Sequence, residues 1–410
     1  MNKKLHELNN GLQLLTVKDD NTKFASIKIA VKVGAIDETK ENYGISHFLE
    51  HLLFTGTDKR DEQGLQRELS MYAGNYNAYT FKICTMLLSD TLVEDFENTL
   101  DVFSDMLMNS KISEESVDKE RNVILSELNL CKEDTIEYGW DVVNEIAYKD
   151  TPLANSILGY EEQLNSLTSA KIKEYYKKFY IPNNTIISII SPLEHDEVLE
   201  KINKFFGSWE KSYESLPERN LGDTMVRGTH EINIGASNQE SIYVVFDCNN
   251  LTFKENTLLT IIANRLGGGM SSILWRKLRN ELGITYSTYA GFSGILNKGS
   301  FYAFANTDPE HTEKGVQAIK EAIEEVLTEE GCGNNLDIAK KEIVFEMAMS
   351  LEDNSRTNSI LIENIINNKP IDFYDEYTNI VKSATTDELL EVAQKVLKDP
   401  CIIVSKAIDE

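Results

Sequence analysis

The sequence predicts an α/β protein of two similar domains, and three observations carry that prediction. At 410 residues the chain exceeds what one hydrophobic core ordinarily serves, so two domains of roughly 200 residues are expected. Each half opens on strand-like alternation, passes through helical segments, and closes on an amphipathic helix that runs into a short apolar strand. Between the halves lies a polar stretch at 210–228 (EKSYESLPERNLGDTMVRG), with Pro217, Gly222 and mixed charge but no helical or strand period. It reads as a linker, which sets the expected boundaries at 1–209, 210–228 and 229–410.

In the first half, residues 13–17 and 26–33 (SIKIAVKV) alternate apolar and polar side chains, the period of a half-buried strand. Residues 44–54 then take a helical period. Residues 114–130 (EESVDKERNVILSELNL) read as another helix, with Val117, Ile124 and Leu128 on or near one side. A last helix, 167–179, leads into an apolar strand at 185–190. The second half repeats the plan: alternation at 230–234 and 241–246, a helix at 255–266, and a final helix at 386–397 leading into 401–404. A doubly wound fold would also mix strands with helices. It would place a GxGxxG turn after a strand, whereas Gly267-Gly268-Gly269 follows a helix.

Composition narrows the function classes. With 41% hydrophobic and 26% charged residues and 7 prolines, the chain is globular in type. No apolar run approaches the ~18 residues of a membrane-spanning helix, so no membrane partner is expected. The net charge of −26 opposes a nucleic-acid partner, which needs a basic surface. It suits solubility and, secondarily, the steering of cationic peptides. Residues 1–11 hold two lysines with no apolar stretch behind them, so no export signal is read and a cytoplasmic location is expected. Five cysteines, odd in number and never spaced CxxC, read as reduced thiols rather than a metal site.

The informative stretch is His47-Phe48-Leu49-Glu50-His51. On a helix, His47 and His51 lie one turn apart on one face and can reach a single ion. Glu50 flanks that face, where it can take a proton from a metal-bound water. Two imidazoles plus a carboxylate, with a fourth position open, suit zinc. In a chain with 6 His and 67 acidic residues, HxxEH is expected by chance about 0.01 times. His6, His195, His230 and His311 are isolated. The third ligand should come from the 114–130 helix, where Glu120 and Glu127 share a face two turns apart, about 10.5 Å along the axis. Either can bind the ion; spacing alone does not choose.

The inverted motif resembles that of the pitrilysin-type, or inverzincin, metallopeptidases. The likeness extends through Gly44-Ile45-Ser46-His47-Phe48-Leu49-Glu50-His51, Phe54 and Gly56-Thr57, and through Glu120-Arg121 to Glu127, seventy-six residues after His51. It implies Glu127 as third zinc ligand and Glu120 as an auxiliary acid behind it. Gly74 with Asn77-Ala78-Tyr79-Thr80 is similar to the family's edge strand, implying that Asn77 and Ala78 pair with the substrate backbone. In the second half, Leu266 to Ser272 and Leu278-Arg279 through Tyr286-Ser287 resemble its glycine-rich helix and its Arg/Tyr pair, here Arg279 and Tyr286, which acts on the substrate carbonyl. Lys132-Glu133-Asp134-Thr135 departs from the family's usual Asp-Pro pair, leaving that loop's conformation open.

The resemblance points to the short, two-domain subfamily that includes mitochondrial processing peptidase and its bacterial relatives. It implies an α+β arrangement in which each domain is a mostly antiparallel sheet with packed helices, the chain forming half of a clamshell. The first domain would carry one zinc, and the second, lacking HxxEH, would be metal-free. The implied activity is zinc-dependent endopeptidase cleavage of peptides or unfolded segments inside a dimeric chamber, with Glu50 activating the water and Arg279 and Tyr286 stabilising the oxyanion. A non-catalytic structural or chaperone-like subunit is the alternative, and a heterodimer with a paralogue competes with the homodimer.

Overall fold

The computed structural model describes residues 2–234 and 238–407. These form two compact units whose segments interleave along the chain. Asn155–Leu221 and Leu351–Ile366 join everything up to Leu128 in the first unit, while Asn129–Ala154, Gly222–Ser350 and the chain from Asn367 onward form the second.

The first unit is built on six strands: β1 (Asn2–Glu7), β2 (Gln13–Lys18), β3 (Phe24–Val31), β4 (Asn75–Thr80), β5 (Thr85–Leu92) and β6 (Thr185–Ser191). Their order across the sheet is β1-β2-β6-β3-β5-β4. Only β2 and β6 run parallel; the other pairs are antiparallel. The central strands are buried on both faces, and their alternation shows why. Ile27 and Ile29 of β3 sit opposite Ile189 and Ile187 of β6 and join the main core. Ser26, Lys28 and Ser188 point the other way, towards the Asn354–Ile366 helix.

That helix arrives from the far end of the sequence and is held by polar contacts. Asn358, fully buried, donates to the carbonyls of Ser26 (2.9 Å) and Ser188 (3.0 Å) and accepts from the Ser188 hydroxyl. Lys28 donates to Ser355 at 3.0 Å. Arg219, inside the stretch that reads as a linker, is anchored to Asp37 and to the Lys32 and Ile83 carbonyls.

Among the described residues the second unit repeats the plan without the first edge strand. Strands β7 (Gly228–Asn233), β8 (Glu240–Asp247), β9 (Thr288–Ile295), β10 (Lys298–Thr307) and β11 (Cys401–Lys406) lie in the order β7-β11-β8-β10-β9. Again one pair, β7 with β11, is parallel and the rest are antiparallel. The mostly antiparallel α+β character is thus present in both units. The Glu137–Ala147 helix packs on this sheet through Trp140, whose ring meets Tyr243 edge-on at 4.9 Å and whose Nε1 donates to the Tyr289 hydroxyl at 2.9 Å. The departure at Lys132-Glu133-Asp134-Thr135 resolves simply. The Glu114–Glu133 helix runs through the first two residues, and Asp134 Oδ1 accepts from the Ile136 and Glu137 amides, both at 3.0 Å, to start the next helix. Among the described residues no helix is long and apolar enough to cross a membrane.

Candidate metal centre

His47, Glu50 and His51 ride on the Ile45–Leu52 helix, and that helix is firmly seated. Phe48, Leu49 and Leu52 are fully buried in the first core, each worth about 1.5–3 kcal/mol of apolar burial. Its N-terminus is turned by Gly44 at φ +87, where a Cβ would meet the Leu158 carbonyl oxygen at 2.8 Å, so only glycine fits. The freed amides are capped from a distance: Glu38 accepts from Gly44 N (2.7 Å) and Ser46 N (2.9 Å). Burial pushes this carboxyl up to about 8, against those same hydrogen bonds. Ser46 is further tied to the Tyr175 hydroxyl at 2.8 Å.

The two imidazoles lie 4.7 Å apart, centroid to centroid, at 73°. Glu127, on the Glu114–Glu133 helix, approaches both: its Oε2 is 3.4 Å from His51 Nε2 and 3.8 Å from His47 Nε2. One donor atom from each of the three residues lies within 4.8 Å of the others. Tetrahedral zinc with bonds of ~2.0–2.1 Å places its ligands roughly 3.3 Å apart, so the set is close to a ligating arrangement. Glu120 stands elsewhere, at 3.3 Å from the other nitrogen, His51 Nδ1. Of the two acids that sequence spacing leaves open, Glu127 is beside the converging donors and Glu120 is behind His51.

At His47 and Glu127 the protonation state suits the same reading; His51 is shifted the other way. Burial lowers His47 to about 4, reinforced by His51, so this imidazole is neutral, as a metal ligand must be. Hydrogen bonding to His51 lowers Glu127, keeping its carboxylate charged. His51 is raised: burial opposes its charge, and the contacts with Glu127 and Glu120 outweigh it. Glu50 is buried, which raises its carboxyl, the direction that makes a stronger base.

Beside the helix runs β4. Among the described residues it pairs with β5 alone, leaving an edge on which Asn77 and Tyr79 are exposed and Ala78 and Thr80 buried. Gly74 immediately precedes it at φ +60, where a Cβ would strike the Asp90 carbonyl oxygen. Thr80 Oγ1 donates to Glu50 Oε2 at 2.6 Å. In the N-A-Y-T run Thr80 reads only as a strand residue, so sequence reasoning missed this contact; Glu38, six residues ahead of Gly44, was missed as well. The Thr80 signal available was a hydroxyl on the buried side of an alternating strand. For Glu38 there was none, because a cap reached across a loop follows no fixed spacing.

Arg279 and Tyr286 lie in the second unit, against each other. The helix carrying Arg279 has π-type turns over Trp275–Glu281, a feature frequent at functional sites. The guanidinium sits 4.4 Å from the Tyr286 ring centroid and donates to the Thr285 carbonyl at 3.1 Å. Tyr286 is 77% exposed, so its hydroxyl is available to a ligand.

Residues 13–161 match the family model described as insulinase (peptidase family M16), and residues 166–342 match the one described as the peptidase M16 inactive domain. An uncharacterized zinc protease of Streptomyces coelicolor is 27% identical over 393 residues, covering 94% of this chain and 85% of that protein. One from Bacillus subtilis is 26% identical over 365 residues, covering 88% and 87%. In fold, the chain is similar to a protease from Helicobacter pylori, with a TM-score of 0.91 at 20% identity over 99% of each chain. A putative M16-like peptidase from Alicyclobacillus acidocaldarius gives 0.84 at 19% identity over 99% and 98%.

Proposed function

This chain belongs to peptidase family M16, and on that premise we propose that it is a zinc-dependent endopeptidase acting on peptides or unfolded polypeptide segments. The cofactor is zinc, the metal in the names of the relatives it resembles over most of their length. One observation carries the reading: the donors of His47, His51 and Glu127 converge beside a buried carboxylate, Glu50. The label of inactivity attaches to the model matching residues 166–342, which excludes all of these residues.

His47, His51 and Glu127 would hold one zinc per chain, and when bound it would supply Lewis acidity toward a carbonyl oxygen and a water. Glu120 orients His51 through Nδ1. Glu50 takes the proton of the attacking water and returns it to the leaving amine. Asn77 and Ala78 on the free edge of β4 hold the substrate main chain by strand addition, which accepts many sequences. Two copies of the chain enclose the substrate. Each active site combines His47, Glu50, His51 and Glu127 of one copy with Arg279 and Tyr286 of the other, which donate to the carbonyl oxygen as charge develops.

Glu50→Gln tests the reading, because it keeps the shape and removes the proton acceptor. The variant should retain its zinc while turnover of a mixed peptide library falls on the order of 10²–10⁴-fold. Turnover close to that of the unaltered protein, in a preparation free of other peptidases, would contradict it.

A further inference from the structure

We infer that Thr80 is the positioning residue for the general base: its hydroxyl pins one oxygen of Glu50 so that the other is held towards the metal centre. The inference deepens the peptidase reading and rests on it.

Glu50 projects from a one-turn spacing next to two histidines, on a helix whose backbone is fixed by burial and by the Glu38 cap. Its side chain still has rotatable bonds, and a carboxylate free to turn presents a usable lone pair only part of the time. Thr80 removes that freedom. Its Oγ1 donates to Oε2 at 2.6 Å, a short, charge-assisted contact of the strong kind. Both residues are about nine-tenths buried, so little water competes for the bond.

Thr80 is itself immobile. It pairs with Thr85 at the β4–β5 turn, and a β-branched residue in a strand has few rotamers. The same strand offers its free edge to substrate. The strand that would align the peptide therefore also aligns the base, and the two are set in register by one backbone. The Thr80 hydroxyl holds Oε2, and the backbone amide of the same residue also hydrogen-bonds the Glu50 carboxyl, so the Thr80→Val variant removes the side-chain donor alone. Serine would preserve the donor, whereas valine keeps the branched shape and loses it.

The test compares Thr80→Val with Thr80→Ser. Thr80→Val should lower kcat about 10- to 100-fold, the scale for misplacing a reacting group, with KM within about twofold and zinc content unchanged. Thr80→Ser should keep most of kcat. A purely structural role would instead move thermal stability or zinc content. Three results each overturn the inference: kcat of Thr80→Val within about twofold of the unaltered protein, zinc lost in parallel with kcat, or a Thr80→Ser defect as large as that of Thr80→Val. A second readout does not depend on turnover. In crystals of the zinc-free protein Glu50 should hold one carboxylate orientation, and in zinc-free Thr80→Val it should occupy more than one. An unmoved Glu50 in Thr80→Val overturns the positioning role even if no peptide substrate is found. Absence of hydrolysis by the unaltered protein, with Glu50 released as expected, would instead indict the peptidase reading.

Discussion

The two units share a strand plan and differ in chemistry. In each, a hairpin-forming strand leads to a helix that packs on the sheet, and the strand pairing repeats, parallel pair included: β2 with β6 in the first unit, β7 with β11 in the second. In the first unit the Ile45–Leu52 helix presents two histidines to an acidic helix. In the second, the Phe253–Gly267 helix meets the Leu336–Leu351 helix through Asn264, whose amide donates to Glu342 at 3.2 Å. Neither of these two helices carries a histidine. Among the described residues, His47, His51 and Glu127 form the only group able to hold a metal. The fold supplies the scaffold, and a few side chains decide what happens on it.

The proposed contribution of the second unit to catalysis, through Arg279 and Tyr286, is open to experiment. Tyr286→Phe removes one hydroxyl donor and should lower kcat by a factor on the order of 100 with zinc content unchanged. Mixing Tyr286→Phe chains with Glu50→Gln chains sharpens the point. With the pair acting across a homodimer, each mixed dimer has one intact site, so activity should reappear after subunit exchange. No recovery, once exchange is verified by mass spectrometry, means that the pair acts within its own chain or not at all.

Smaller effects should follow from the interleaved helices, and they should be unit-specific. Asn358→Leu leaves the Ser26 and Ser188 carbonyls without their donor in the first unit, costing about 2–4 kcal/mol. Trp140→Ala empties part of the aromatic cluster around Tyr243 and Tyr289 in the second, costing about 3 kcal/mol. Calorimetry with and without zinc distinguishes them. Asn358→Leu should lower the midpoint of the transition that zinc raises, and Trp140→Ala should spare it. Equal shifts in both variants would contradict unit-specific roles.

What the sequence made legible was local. The alternation at 13–17 and 26–33 appears as β2 and β3, and the HxxEH run lies on a buried helix because its apolar residues are spaced for one. What it hid was long-range. Nothing in residues 351–366 announces that Asn358 will meet Ser26, 332 positions away, because helical periodicity reports a buried face and not its partner. The choice between Glu120 and Glu127 was hidden for the same reason. Both share a helix face, and only the approach of that helix to the histidines separates them.

That separation is also where the account is most directly tested. Zinc should bind the zinc-free protein at one ion per chain, and competition with a chelator gives its affinity. Glu127→Gln removes a charged donor from the converging set and should abolish stoichiometric binding. Glu120→Gln changes only the partner of His51 Nδ1 and should weaken binding about 10- to 100-fold while keeping one ion per chain. The reverse outcome, with zinc lost from Glu120→Gln and retained by Glu127→Gln, would contradict the assignment of the centre.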